Sequence, residues 1–200
     1  MVAEFKSSNY ANSYVICRFH ECIIINPSHS YEEISDYIGS RSIVGLFATE
    51  ISKENIDQIA YYSAPLHLST EQIEAINSDF ILGYDYKKNY PFNLNKIKII
   101  EYFNEQQFKI GGNNFQVLII DGVQTPTTIF IYKDNLFVGN LFNNNKLAKK
   151  ANYKSSIYDL KKSIVKLINL PDDYKLYHSY RESNKFSQEK NNNPDLNRWL

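Results

Sequence analysis

The chain has 200 residues, of which 43% are hydrophobic and 22% charged, and this composition excludes a fibrous or a wholly disordered protein. We predict a single globular domain over residues 1–200, long enough to bury a core without disulfide or metal staples. The 22 lysines and arginines cancel the 22 aspartates and glutamates, so the electrostatic surplus that nucleic acid or an anionic membrane attracts is missing.

We expect a cytosolic protein, because the sequence shows no basic segment followed by an apolar run at its start and no apolar stretch approaches the roughly 20 residues of a membrane span.

The first segments of the chain predict a two-stranded hairpin. The β-prone runs 14–17 and 22–26 are separated by polar residues and predict neighbouring strands. Cys17 and Cys22 lie inside these runs, and we interpret them as buried free thiols because they fit neither a disulfide framework nor a zinc ribbon.

Three short helices and one buried strand are predicted next. Each helix opens at a serine that apolar residues follow at helical spacing, and Ser30 with Glu33 and Ser69 with Gln72 have the spacing of capping boxes. The strand is apolar without alternation, which suits a position covered on both faces. The predicted elements are a helix from Ser30 to Gly39, a strand over 43–48, a helix from Ser52 that ends before Pro65, and a helix opened by Ser69 and Gln72, with residues 66–68 too short to assign.

The second half of the chain is predicted to be mostly antiparallel strands followed by a long helix. β-prone runs alternate there with turn residues such as Gly111-Gly112 and Lys133-Asp134. The predicted elements are strands at 96–103, 107–110, 116–120, 128–132 and 135–138, a helix over 156–169, a strand over 174–177 and a polar tail. This order of elements predicts an α/β (α+β) protein with sheets inside and helices outside.

Several local strings resemble those of one superfamily, in the order in which that superfamily carries them. The matching strings are Asn12 to Ile16, Asn26-Pro27-Ser28 in place of Asp-Pro-Gly, residues 121–128, residues 136–142, Leu170 to Asp173, and the Glu-x-x-x-Asn-Pro ending at 189–194. The chain thereby resembles the metallo-β-lactamase superfamily, in particular its small hydroxyacylglutathione-hydrolase-like members. The resemblance implies an αββα sandwich of two mixed β-sheets with helices on the outside, and an active site at one edge.

The resemblance also shows where the family's zinc ligands would fall. Family members hold zinc with a His-x-His-x-Asp-His motif, later histidines and a bridging aspartate. The former metal-ligand positions in this chain are Glu50, Ser52, Glu54, Asn55, Gln124, Asn140 and Tyr180. Neutral serine, asparagine and glutamine cannot replace imidazole and carboxylate donors, so we expect a degenerate site with no metal, no cofactor and no catalytic residue.

Two basic residues inside the former ligand loops, Lys53 and Arg181, are candidates for binding an anion. They would place positive charge where the family holds its metal, although pairing with Glu50 or Glu54 is the simpler alternative. The two glutamates, four residues apart at a helix start, fit either a hard cation such as magnesium or calcium, or a solvated acidic pair.

The four histidines, His20, His29, His67 and His178, fall on none of the ligand positions, and we interpret them as structural. His178 differs because it lies two residues before Tyr180, so that a rearranged loop would bring it into the cleft. The predicted function is a metal-free, non-catalytic binding or interaction module. Its partner would be a small anionic ligand, a protein or a second copy of the chain. The alternative is a hydrolase of thioesters or related esters that uses a displaced or non-zinc site.

Overall fold

The computed structural model describes residues 1–77, 97–123, 125–143, 146–147 and 156–198. Within these ranges two six-stranded sheets lie face to face, and helices cover both outer faces. This is the αββα sandwich of two mixed sheets that the sequence predicts. None of the helices in these ranges combines the length and the apolar character that a membrane crossing requires.

The first sheet holds its strands in chain order. They are β1 (Val2–Phe5), β2 (Ser13–Arg18), β3 (Glu21–Ile25), β4 (Ser42–Phe47), β5 (Leu66–Ser69) and β6 (Ile99–Tyr102). β1 to β3 pair antiparallel, and β3 to β6 pair parallel. Parallel neighbours need crossover connections, and the helices of this half are α1 (Tyr31–Ile38), α2 (Lys53–Ile59) and α3 (Thr70–Asn77).

The second sheet has the order β14-β13-β10-β9-β8-β7. Its strands are β7 (Gln107–Ile110), β8 (Asn113–Ile120), β9 (Thr127–Tyr132), β10 (Asn135–Gly139), β13 (Lys175–His178) and β14 (Asn184–Lys185), while β11 (Phe142–Asn143) and β12 (Lys146–Leu147) form a separate pair. All neighbours are antiparallel except β10 and β13. The helices of this half are α4 (Ile157–Ile168), α5 (Phe186–Asn192) and α6 (Pro194–Asn197).

Side-chain alternation along the strands divides the apolar core into layers. In β2, Tyr14 and Ile16 pack between the sheets, whereas Val15 packs against the helices on the outer face. A third apolar cluster lies between the second sheet and α4 to α6. Because successive strand residues point to opposite faces, an apolar run without polar alternation serves two cores at once.

The predicted helix starts are confirmed by their caps. Ser30 accepts a hydrogen bond from the Glu33 N–H at 3.4 Å, and Ser156 accepts from the backbone of its third helical residue at 3.3 Å. The Gln72 N–H donates to Ser69 at 3.2 Å, which opens α3. These contacts satisfy N–H groups that the helix itself leaves without partners.

Two sequence interpretations are corrected by the structure. Cys17 and Cys22 are not free thiols, because they face each other in the β2–β3 hairpin and are joined by a disulfide. The polar tail contains β14, α5 and α6. In addition, β1 had no predicted counterpart, and it is held by pairing Val2 with Ile16 across the sheet.

Candidate functional site

Loops from both sheets meet at one edge of the sandwich, where β3, β4, β10 and β13 end. Asn26 follows β3, Thr49 lies two residues after β4, Gly139 ends β10, and Ser179 follows β13. We call these four residues the Asn26 cluster. Sites in sheet proteins commonly form outside the carboxyl ends of parallel strands, and both β3–β4 and β10–β13 are parallel pairs.

Hydrogen bonds between neutral groups hold the Asn26 cluster together. Asn26 Oδ1 accepts from the Thr49 N–H at 2.8 Å and from the Thr49 hydroxyl at 2.9 Å. Asn26 Nδ2 donates to Ser179 Oγ at 3.5 Å, and the Ser179 N–H donates to the Gly139 carbonyl at 2.9 Å. All three polar side chains are buried. The cluster therefore connects the ends of both sheets through satisfied polar contacts.

Gly139 is required by the close approach of Thr49. Its φ is +60°, in the left-handed region, and a Cβ at this position would lie 2.4 Å from Thr49 Oγ1. The β10–β13 register also shifts between Phe137 and Gly139, which turns the chain at this point. A side chain at residue 139 would push Thr49 away from Asn26.

We expect Gly139→Ala to destabilise the protein by about 3 kcal/mol, through left-handed strain plus the collision with Thr49. Gly39→Ala is the matched control, because Gly39 has a φ of +59° and no described atom lies within 4 Å of its Cβ position. That control should lose about 2 kcal/mol from backbone strain alone, because alanine avoids its φ of +59° and ψ of −131°. Urea denaturation of both variants measures the difference, and equal losses would show that the Thr49 contact is unimportant.

Three of the former ligand positions directly follow members of the Asn26 cluster. Glu50 follows Thr49, Asn140 follows Gly139, and Tyr180 follows Ser179. Glu50 and Asn140 are half-buried, and Tyr180 is 54% exposed. The fold thus brings together the three loops that the resemblance identifies.

Two further ligand positions are used to start α2. The Ser52 hydroxyl accepts from the Asn55 N–H at 3.4 Å, and Asn55 Oδ1 accepts from the Ser52 N–H at 3.0 Å. Asn55 Nδ2 also donates to the Glu50 carbonyl at 2.8 Å. Both side chains are therefore engaged by backbone groups in a capping box.

The remaining predicted positions are described in part or not at all. The backbone of Lys53 and Glu54 lies in the first turn of α2. Their side chains, and the whole of Gln124, lie outside the described parts of the chain.

Comparison with solved structures identifies the architecture. The chain superposes on the BLEG-1 B3 metallo-β-lactamase with a TM-score of 0.74 and 17% identity, covering 98% of this chain and 99% of that one. ETHE1 from Myxococcus xanthus gives a TM-score of 0.68 at 14% identity, with coverages of 98% and 84%. TTHA1623, solved in a di-iron-bound form, gives 0.69 at 14% identity, with coverages of 97% and 98%.

The chain has the metallo-β-lactamase fold. At these identities the likeness concerns the fold alone. No family model matches the sequence, and no curated protein matches it.

The described side chains at the former ligand positions do not fit the zinc site that the resemblance implies. Within the described ranges, no group of three His, Cys, Asp or Glu side chains is placed to hold a metal ion. Of the former ligand positions with described side chains, Glu50 is the sole carboxylate, while Ser52, Asn55, Asn140 and Tyr180 offer neutral oxygen or nitrogen. Zinc sites in proteins use imidazole, thiolate and carboxylate donors, usually three or four together.

His178 is the buried last residue of β13, directly before the loop of residues 179–183, which we call the last loop. It is 1% exposed, its Nε2 lies 2.7 Å from Asn184 Oδ1, and its Nδ1 has no hydrogen-bond partner among the described residues. Burial lowers the pKa of His178 to about 4, and the nearby Arg181 charge acts in the same direction. The ring is therefore buried and neutral at pH 7.

Arg181 forms an ion pair with a buried carboxylate. Its guanidinium donates through Nη2 to Glu189 Oε2, and the Glu189 side chain is 1% exposed. Glu189 Oε1 also accepts from Asn193 Nδ2 at 2.9 Å. The Glu-x-x-x-Asn-Pro string thus joins the last loop to α5 and α6, where Pro194 is the first residue of α6.

Sequence reasoning missed the residues that organise this edge. Thr49 and Ser179 were not proposed, and neither was Asn12, whose side-chain amide donates to the His178 carbonyl at 3.0 Å. Asn26 was noted only as part of a string. The signal available in the sequence is positional, because Thr49 directly follows a predicted strand, Asn26 ends one, and Ser179 lies beside the ligand position Tyr180.

Proposed function

We propose that this chain is a metal-free, non-catalytic member of the metallo-β-lactamase superfamily that acts as a binding or interaction module. The observation that supports this proposal is that side chains at or beside the former ligand positions hold the loops together. Asn55 is engaged in capping α2, and the neighbours of Glu50, Asn140 and Tyr180 form the neutral Asn26 cluster. Side chains that hold loops together in this way are not arranged to present donors to a metal ion.

The chemistry of hydrolysis gives further support. Generating hydroxide at neutral pH requires a strong Lewis acid or a general base that reaches solvent. His178, the histidine that a rearranged loop would bring into the cleft, is 1% exposed and already contacts Asn184 through Nε2. Among the described residues, His178 is therefore not a general base that is accessible to solvent.

The partner in this proposal is a small anion or a protein, in a cytosolic setting. Because Arg181 already donates to Glu189, an anion at Arg181 would compete with a buried ion pair. Lys53, at the start of α2, is consequently the residue on which anion binding should depend. A protein partner or a second copy of the chain would use the same loop edge.

The metal-free proposal is tested by elemental analysis of protein purified without chelator, together with thioester and lactam hydrolysis assays. We expect sub-stoichiometric zinc, iron and manganese, and turnover equal to the buffer blank. Stoichiometric metal, or turnover that Glu54→Ala abolishes, would establish the hydrolase alternative instead.

Anion binding has a separate test. Inorganic phosphate should raise the melting temperature of the wild type, and Lys53→Gln should remove most of that increase. Lys161→Gln is the matched control and should keep the increase, because α4 packs on the second sheet whereas α2 packs on the first. An identical phosphate response in the wild type and in Lys53→Gln would exclude Lys53 as the anion site.

A further inference from the structure

The β2–β3 hairpin contains a chemical feature unrelated to the loop edge. Cys17 and Cys22 are directly opposite in the antiparallel register, with Cα atoms 4.0 Å apart, and their sulfurs are bonded. The next pair along the hairpin is Arg18 with Glu21, and two residues then complete the turn. The hairpin itself therefore brings the two sulfurs together, without a contribution from distant parts of the chain.

The two cysteines differ in their exposure to solvent. Cys22 is fully buried among the apolar residues that face the helices, whereas Cys17 is half-buried at the edge of the same cluster. Arg18, beside Cys17, is exposed, and its guanidinium donates to the Gly112 carbonyl. A small thiol reagent approaching from solvent would meet the sulfur of Cys17 first.

The backbone of the hairpin is held by strand pairing that does not depend on the disulfide. β3 pairs with β2 on one side and with β4 on the other, so these backbone hydrogen bonds hold the hairpin without the sulfur link. A buried free cysteine behaves as a small apolar side chain, which suits the surroundings of Cys22. A bond that closes so short a loop also constrains the unfolded chain less than a bond between distant residues.

We propose that Cys17 and Cys22 are a reversible thiol–disulfide site that exchanges with low-molecular-weight thiols and disulfides. In oxidation, the Cys17 thiolate attacks one sulfur of a small disulfide and releases one small thiol. The Cys22 thiolate then attacks the Cys17 sulfur of the mixed disulfide and releases the second thiol. The protein loses two electrons and two protons, and the small disulfide gains them; reduction follows the same steps in reverse.

The test uses the full chain equilibrated with reduced and oxidised glutathione at a series of ratios, then acid-quenched, alkylated and weighed by mass spectrometry. We expect each molecule to carry either two alkyl groups or none, with the proportion following the glutathione ratio. The reduced protein should melt cooperatively, about 5 °C below the oxidised protein. A chain that stays fully alkylated at every ratio, or a disulfide that survives excess dithiothreitol until the protein unfolds, would overturn the proposal.

Single-cysteine variants test the order of the two steps. Cys22→Ser retains the accessible sulfur and should accumulate a glutathione adduct at Cys17. Cys17→Ser retains the buried sulfur and should remain unmodified over the same time under native conditions. Equal rates of adduct formation in the two variants would contradict the assignment of Cys17 as the residue that exchanges with solvent.

Discussion

Lowering the pH from about 7 to about 4 is expected to remove about 6 kcal/mol of folding free energy through two buried histidines, about 3 kcal/mol from each. His67 is 7% exposed and His178 is 1% exposed. Burial lowers the pKa of each ring from 6.5 to about 4. The charge of Lys98 adds to this effect at His67, and the charge of Arg181 adds to it at His178.

The direction of the effect follows from proton binding. The unfolded chain takes up a proton at each histidine near pH 6.5, whereas the folded chain resists protonation until about pH 4. The stabilisation is therefore complete above the unfolded pKa and is lost as the pH falls between these two values. Urea denaturation at several pH values measures the loss directly.

The variant His67→Phe removes one of the two histidines and so measures its share of the folding free energy that is lost at low pH. His67 stacks on Phe47 with ring centroids 4.5 Å apart, and its Nε2 is buried without a hydrogen-bond partner among the described residues. A phenylalanine keeps the stacking and cannot be protonated, so the loss between pH 7 and pH 4 should shrink by about 3 kcal/mol.

Each variant is compared with its own stability at pH 7, so changes in packing that do not depend on pH cancel. His20→Gln is the matched control, because it removes an exposed histidine at the hairpin turn and leaves both buried histidines, His67 and His178, in place. It should lose as much stability at low pH as the wild type. An unchanged acid loss in His67→Phe would contradict the burial argument.

The parts of the fold that the sequence predicts well depend on local interactions. A serine that caps a helix contacts a backbone N–H three residues later, so Ser30, Ser52, Ser69 and Ser156 are readable without knowledge of the tertiary structure. The hairpin from β2 to β3 is likewise a contact between sequence neighbours. The apolar runs also indicate which strands are covered on both faces.

The elements that were missed depend on distant partners or on few apolar residues. β1 is a strand because Val2 pairs with Ile16, and no local signal marks it. In the tail, Phe186 and Leu196 are buried among many polar neighbours, which conceal a helical pattern. The disulfide is a different case, because the spacing of Cys17 and Cys22 alone matches no disulfide framework and only the hairpin register places the two residues opposite each other.

The resemblance indicates which loops form the candidate site, but it does not explain what holds these loops together. The strings place Glu50, Asn140 and Tyr180 on loops that do converge. What holds those loops is a contact between Asn26 and Thr49, 23 residues apart, and a contact from Asn26 to Ser179, 153 residues apart. A single sequence gives no information about such pairs, because their residue types are ordinary and their separations are set by the sheets.

The second large effect on stability concerns the buried ion pair between Arg181 in the last loop and Glu189 in α5. Replacing Glu189 by alanine is expected to destabilise the protein by about 3 kcal/mol or more. The buried carboxylate accepts from Arg181 Nη2, from Asn193 Nδ2 at 2.9 Å and from Asn184 Nδ2 at 3.5 Å. Without it, a largely buried guanidinium and two amides lose their acceptor, and the penalty for an unpaired buried cation exceeds the value of an ordinary hydrogen bond.

The same substitution should loosen the loop that carries Tyr180. Arg181 is fixed to α5 through Glu189, and its carbonyl accepts from Asn12 Nδ2 at 3.3 Å. Hydrogen exchange over residues 179–185 should therefore accelerate in Glu189→Ala more than in the sheets. Glu189→Gln, which keeps an acceptor oxygen but not the charge, should fall between the wild type and the alanine variant.

Glu182→Ala provides the matched comparison, because Glu182 also pairs with a cation, Lys6, but its side chain is 80% exposed. Removing that carboxylate should change the stability by less than about 1 kcal/mol, since water solvates both charges once they separate. Both variants remove a glutamate carboxylate that pairs with a cation, and the two carboxylates differ strongly in burial. Equal losses in denaturation experiments would show that the Arg181–Glu189 pair does not hold the loop, whereas a difference of about 2 kcal/mol or more is the result that its buried geometry requires.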